Sequence, residues 1–277
     1  MRMCKYLFFD MDRTLISGTT HRIPDSAVQG LKETMAKGNR CFLCTGRSYP
    51  MALEYEDQIQ IPGVIFANGG GIAIDGKILE THDIPDDLVK QMMDLCEALG
   101  GGYQIIGIHH AWQNPAELQR FRNRFPQEYP GIPEEEVFRR KGIRPVSEYN
   151  GEPIQKIDIF FANELTADVY FSRVPDSLNL VLSGGYYAGM GRRGGELTAK
   201  GISKGSAVTE VLNHFHVSEE DSCGFGDSMN DMEMMKACGH SIAMGNAAEE
   251  VKNISDYITD DFDHDGIYNA LKHFELI

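Results

Sequence analysis

Two aspartates, two residues apart, close the apolar run in LFFDMDRT near the start of the chain. Two anions a few ångströms apart repel unless a cation or a shared proton intervenes. Asp10 and Asp12 therefore ask for more than the turn-starting role that would explain either one alone. Three further short segments carry groups of a matching kind: TGR at 45–47, SKG around Lys204, and GDSMND at 226–231. Each has a structural explanation by itself. Thr45 can cap a helix beginning near Ser48, Lys204 can be a solvated side chain, and Asp227 can cap a helix that carries Asp231 one turn later. Taken jointly they are the groups that phosphoryl transfer uses, and each falls where α/β proteins bind ligands, at the carboxyl end of a strand or the start of a helix.

The chemistry such a set supports is specific. Asp10 is a carboxylate able to attack phosphorus and form an aspartyl phosphate, splitting one hard step into two. An anion attacking an anionic phosphate needs a cation, and a hard, oxygen-rich site suits Mg²⁺. Asp10 and Asp227 would bind it directly, the backbone carbonyl of Asp12 would add a ligand, and Asp231 would help directly or through water. The Asp12 side chain would then be free to protonate the leaving alkoxide and later to deprotonate the attacking water. Thr45 would donate to the phosphoryl oxygens and Lys204 would set a positive charge against them. The backbone N–H groups of Met11 and Gly46, with the Asn230 side chain, complete the expected phosphate cradle.

These groups need a scaffold that aligns strand ends, and the periodicity supplies one. The run Tyr6–Phe9 reads as a strand buried on both faces. In PDSAVQGLKETMAKG, Pro24 and Asp25 start a helix, Val28, Leu31 and Met35 share a face, and Gly38 stops it. RCFLC and GVIF read as further buried strands, the first followed by another helical stretch, and GIAIDGKIL reads as a hairpin turning at Asp75-Gly76. Strand–helix alternation of this kind predicts a doubly wound parallel sheet in an α/β fold. From about residue 82 to 189 the pattern changes to helical stretches (DDLVKQMMDLCEAL, NELTADVYFSRV), strand-like runs (YQIIGI, IQKIDIFF, LNLVLS) and a Pro-rich irregular piece at 126–133. The alternation resumes from about residue 190. The predicted layout is an α/β core from residues 1–81 and 190–277, interrupted by an α+β domain at 82–189.

Composition narrows the partners. The chain has 277 residues, 42% of them hydrophobic, and a net charge of −15. Such a charge argues against nonspecific nucleic-acid binding, which depends on neutralising phosphates with Lys and Arg, and against an anionic membrane surface. A small anionic substrate needs only a few local cations. No run approaches the roughly 18 apolar residues of a membrane-spanning helix. The two N-terminal aspartates interrupt the stretch a secretory signal would need, so a cytoplasmic location is expected. Six scattered cysteines suit a reducing compartment. Cys41 and Cys44 have C-x-x-C spacing, but residues three apart on a strand point to opposite faces, so no chelate is expected.

The four segments, in this order, resemble the D-x-D-x-T, T, K and GD-xx-ND motifs of the haloacid dehalogenase superfamily of phosphotransferases, here Asp10/Asp12/Thr14, Thr45, Lys204 and Asp227/Asp231. The stretches TGRS, NGGGIAIDGKIL, ELTAKGISKG, GDSMNDMEMMKACG and IAMGNAAEEVK are similar to its Cof-type sugar-phosphatase group, whose members insert an α+β cap of class IIB between the second and third motifs. The resemblance implies an Mg²⁺-dependent phosphatase acting on a small phosphorylated metabolite, with sugar phosphates the family-level expectation. Asp12 separates this reading from the dehalogenases and transport ATPases of the superfamily, which lack the second aspartate. A phosphomutase of the same superfamily and a noncatalytic Mg²⁺-dependent regulatory protein stay open, as does the oligomeric state. Where the family usually has glycine, this chain has Arg13. An ordinary residue there implies an ordinary backbone conformation, with the side chain toward solvent or toward the cap. Candidate leaving-group contacts are Arg47, Asn68, Gly69, Tyr187 and Arg192, with His109, His110, Trp112 and Arg193 also considered.

Overall fold

The computed structural model describes residues 5–182 and 193–277. Tyr187 and Arg192 lie outside them. In chain order the first stretch forms β1 (Tyr6–Asp10), α1 (Asp25–Ala36), β2 (Arg40–Cys44), α2 (Tyr49–Ala52), β3 (Gly63–Phe66), β4 (Gly71–Ile74) and β5 (Lys77–Thr81). The middle forms α3 (Asp86–Ala98), β6 (Gly102–Ile106), β7 (Ala111–Gln113), α4 (Pro115–Glu128), α5 (Glu134–Lys141), β8 (Ile143–Pro145), β9 (Lys156–Phe160), α6 (Glu164–Phe171), β10 (Leu178–Leu182) and β11 (Gly194–Ala199). The last stretch forms α7 (Lys204–His214), β12 (Ser222–Gly226), α8 (Met232–Ala237), β13 (His240–Ala243), α9 (Glu249–Lys252), β14 (Tyr257–Ile258) and α10 (Gly266–His273).

The strands of the described residues make two sheets. The first has the order β14-β13-β12-β1-β2-β3-β4-β5, and β1 lies parallel to both β12 and β2. Phe9 is level with Phe225 on one side, and Asp10 is level with Cys44 on the other. The carboxyl ends of β12, β1 and β2 therefore lie side by side, where the strand order switches direction and where such sheets bind ligands. Leu7, Phe8 and Phe9 are fully buried. Phe9 stacks on Phe225 at 4.4 Å and Phe8 on Phe42 at 5.0 Å, so aromatic pairs hold the three strands in register. Val208, Val211 and Leu212 of α7 and Met234 and Met235 of α8 close one face of this core.

The second sheet has the order β10-β11-β9-β6-β7-β8. One face is apolar and packs Tyr103, Ile105, Trp112, Ile157, Ile159 and Leu197 with Val89 and Met92 of α3 and Ala167 and Tyr170 of α6. The contacts divide the chain into two compact units: Met1–Gly46, Tyr55–Glu80 and Ser203–Ile277 form one, and Arg47–Glu54 with Thr81–Ile202 form the other.

Three details differ from the sequence reading. β11 pairs antiparallel with β9 and β10, so residues 194–202 go with the second sheet rather than resuming the first. Its alternation of Gly, Glu and Leu fits a strand with one polar face, which local pattern alone does not allot to either sheet. Residues 126–128, read as irregular, are the last turn of α4. That helix starts well, with Pro115 in its first turn and Asn114 accepting from the Glu117 N–H at 3.0 Å, and it tolerates Pro126 near its end. The helical stretch after Arg47 is a single α-turn followed by a 3₁₀ turn at Leu53–Tyr55.

Candidate active site

Asp10 ends β1 and is only 6% exposed. Asp227 directly follows β12, and Thr45 directly follows β2 with its N–H bonded to the Ile65 carbonyl at 2.9 Å. Parallel pairing thus carries the first, second and fourth segments to one edge. The third arrives on α7. Ser203 caps this helix, accepting from the Ser206 N–H while the Ser206 hydroxyl accepts from the Ser203 N–H. Lys204, the first helical residue, is 1% exposed. Gly205 lets α7 lie against α8, because a Cβ there would stand 2.5 Å from the Glu233 carbonyl oxygen.

Lys204 Nζ donates to Asp10 Oδ1 at 2.5 Å and to Asp231 Oδ1 at 2.7 Å. The other Asp231 oxygen is fully used within its own loop, accepting from the Asp227 N–H at 3.1 Å, the Ser228 N–H at 2.9 Å and the Ser228 hydroxyl at 3.1 Å. Asp231 therefore shapes the 227–231 turn and anchors the lysine. The same Ser228 hydroxyl lies 2.6 Å from the Asn230 side-chain oxygen, so its one proton is shared between that oxygen and Asp231 and the Asn230 amide is left as the donor end. Thr14 Oγ1 lies 3.5 Å from Asp227 Oδ1. Asp10, Asp227 and Asp231 each offer an oxygen within 4.8 Å of the others, all three being buried.

The electrostatics follow from crowding anions in a dry place. Burial, and then the Asp231 charge, push the Asp10 carboxyl well above the ordinary range, with Lys204 opposing. Burial and Asp231 push Asp227 up to about 7. Burial alone would lower Lys204, but Asp10 and Asp231 hold it above its usual value, so it stays charged. A cluster of hard oxygen donors short of positive charge is the donor set that Mg²⁺ takes. The residues fit that ion.

The remaining predicted residues sort themselves. Met11 is buried and Gly46 half-buried in the two turns flanking Asp10 and Thr45, while Asp12 is half-buried. Asn68 is 5% exposed, with a left-handed backbone, and its N–H donates to the Thr45 carbonyl at 3.0 Å. Gly69 does permit a close backbone approach, but to the Ser203 carbonyl: a Cβ there would be 2.2 Å from that oxygen. Arg47 belongs to the second unit, where its guanidinium lies 3.3 Å from Glu54, a carboxylate that also accepts from Lys141 at 2.6 Å. Trp112 is a packing residue, its ring 5.0 Å from that of Tyr149, and His110 pairs with Glu152. Cys41 and Cys44 are buried and free.

Arg13 departs from the sequence expectation. Its φ is +65°, a left-handed conformation that favours glycine. Its Nε lies 3.8 Å from Asp227 Oδ2. Two residues that sequence reasoning left without a role hold this turn together. The Asn246 side chain donates to the Arg13 carbonyl at 2.9 Å, and the Ala248 N–H donates to the Asp227 carbonyl at 3.0 Å. The available signal was the Gly245-Asn246 pair just past β13, a turn-forming dipeptide at the same sheet edge. In the second unit, sequence reasoning also passed over Lys156, buried between Asp158 at 2.9 Å and Glu196 at 3.1 Å.

Comparison with known proteins identifies the family. A family model described as haloacid dehalogenase-like hydrolase matches residues 7–271. The chain is 27% identical over 279 residues to the 5-amino-6-(5-phospho-D-ribitylamino)uracil phosphatase of Bacillus subtilis, the match covering 98% of this chain and 96% of that one. Among solved structures it is similar to BT4131, described as a subclass IIB sugar phosphatase, with a TM-score of 0.79 and 29% identity over 99% of this chain and 100% of that one. It is also similar to BT1666 of Bacteroides thetaiotaomicron, a phosphatase of the same superfamily, with a TM-score of 0.79 and 26% identity over 100% of this chain and 97% of that one.

Proposed function

Because this chain belongs to the haloacid dehalogenase-like hydrolases, we propose that it is a phosphatase that hydrolyses small phosphate monoesters, sugar phosphates being the favoured class, with Asp10 as nucleophile. The observation that carries the reading is the convergence of Asp10, Asp227 and Asp231 at one buried sheet edge, with Lys204 bonded to Asp10 at 2.5 Å and to Asp231 at 2.7 Å. A Mg²⁺ ion held by Asp10, Asp227 and the Asp12 carbonyl, with Asp231 supporting, would supply the charge that lets an anion meet an anionic phosphate.

Asp10 attacks phosphorus and takes the phosphoryl group as an acyl phosphate. Asp12 gives its proton to the departing alkoxide, then takes one from the water that attacks the aspartyl phosphate, so one carboxyl serves as acid and base in turn. Lys204 and Thr45 bind the nonbridging oxygens, helped by the N–H groups of Met11 and Gly46 and the Asn230 amide. Lys204 is held by Asp10 and Asp231 before substrate arrives, and a charge fixed in advance is what makes electrostatic stabilisation effective. The second compact unit we assign as the specificity domain. Substrate preference among sugar phosphates and other phosphorylated metabolites resides in residues of that unit.

The test is phosphate release from a broad panel of monoesters, with Mg²⁺ and with a chelator, for wild type, Asp10→Asn and Asp12→Asn. Release is expected to need Mg²⁺, to vanish in Asp10→Asn, and to fall at least about a hundredfold in Asp12→Asn, the usual scale of general acid–base catalysis. Wild-type rates in Asp10→Asn would refute the mechanism.

A further inference from the structure

Arg13 sits in a backbone conformation that a nonglycine residue adopts at a cost, and the fold holds it there from both sides. Its N–H donates to the Ile16 carbonyl at 2.9 Å, and its own carbonyl accepts from the Asn246 side chain at 2.9 Å. Asn246 is in turn fixed by the Phe262 N–H at 3.3 Å. Strain of this kind persists where the surroundings over-determine it, and it gathers at functional sites. The stem has a definite course as well. Gly18 leaves room for it, since a Cβ at that glycine would lie 3.3 Å from Arg13 Cγ and 3.2 Å from the Phe262 ring. The course ends with Nε 3.8 Å from Asp227 Oδ2, while Thr14 Oγ1 approaches the other oxygen of the same carboxylate at 3.5 Å.

We propose that Arg13 is a resident counter-cation of the carboxylate cluster: it offsets the charge of Asp227 and so weakens the site's hold on a divalent cation, making this protein's Mg²⁺ readily exchangeable. The inference rests on the assignment of Asp227 as a metal ligand. A unit charge close to a ligand carboxylate repels an incoming dication, and its half-exposed position (43% of the side chain) keeps that repulsion moderate and open to screening by salt. Glycine at the same position would leave Asp227 with the Thr14 hydroxyl but without this guanidinium.

The experiment is calorimetric Mg²⁺ titration of the substrate-free protein at about pH 8.5, where a proton on Asp227 no longer competes with the metal in wild type or variant, comparing wild type with Arg13→Gln, Arg13→Gly and Arg13→Lys. Arg13→Gln keeps the length and the backbone demand but removes the charge, and Arg13→Gly also relieves the backbone. Both are expected to bind Mg²⁺ about three- to tenfold more tightly at low salt, the size set by one charge about 4 Å from a carboxylate in a largely aqueous dielectric. The gain should shrink towards unity near 1 M KCl, where the screening length is about 3 Å. Arg13→Lys should stay within about twofold of wild type. Unchanged or weaker binding in Arg13→Gln, with wild type binding normally, overturns this proposal and leaves the phosphatase reading intact. No Mg²⁺ uptake by wild type overturns it together with the metal assignment.

Discussion

At the scale of residues, the site is a problem in electrostatics whose solution is pH-dependent. Burial and Asp231 push the Asp227 carboxyl up to about 7, so the metal-free protein keeps a proton there until the pH passes that value. A metal ligand must be deprotonated, so Mg²⁺ taken up at Asp227 would displace that proton, and acid would oppose binding. Asp10, raised by burial and by Asp231, acts in the same direction. Mg²⁺ affinity is therefore expected to climb by at least about tenfold per pH unit below pH 7 and to level off above it, as one released proton requires. Titrations in two buffers of different ionisation enthalpy would count the proton directly, and affinity independent of pH from 5.5 to 8 would contradict the shifts. The four motif segments were legible in the sequence because their residue types announce their chemistry. Arg13, Ser228 and Asn246 were not, because their roles depend on where a turn aims a donor. Ser228 in particular reads as any loop serine until its hydroxyl is seen between Asp231 and Asn230.

At the scale of elements, parallel pairing and one tight contact position the lysine. The pairings β12-β1-β2 set Thr45 and Asp227 one residue past the level of Asp10 on its two neighbouring strands. The turn at Ala67–Gly69 then packs on the start of α7, with Gly69 at φ +94° directly over the Ser203 carbonyl. Gly69→Ala would combine a left-handed alanine with a Cβ 2.2 Å from that oxygen. A cost of about 2 kcal/mol or more in urea-unfolding free energy is expected, from backbone strain and overpacking together. Because α7 must shift to relieve the clash, kcat should fall as well. A variant as stable and as active as wild type would mean that this contact does not set the lysine. The strands and long helices of this region could be read from periodicity, including the stop of α1 near Gly38. β11 could not, since its partners β9 and β10 are chosen by long-range pairing. Nor could the purpose of Gly69, whose close approach is to protein backbone.

At the scale of the whole molecule, the sequence pointed to two folding units, and each has its own sheet and core. No helix among the described residues is long and apolar enough to cross a membrane. An overall charge of −15 is compatible with an anionic substrate because cations can be local: one buried lysine bonds Asp10 and one arginine lies beside Asp227. The choice of substrate was not legible, because no motif in the sequence marks side chains that would contact a leaving group. The central claim, that Asp10 takes the phosphoryl group, has a direct test. Borohydride reduces an acyl phosphate to the alcohol, so quenching the protein during turnover of a good monoester substrate and mapping its peptides by mass would label the phosphorylated carboxylate. The account predicts homoserine at position 10, appearing only when substrate and Mg²⁺ are both present. Turnover with Asp10 unreduced, or with the label on another carboxylate, would contradict it.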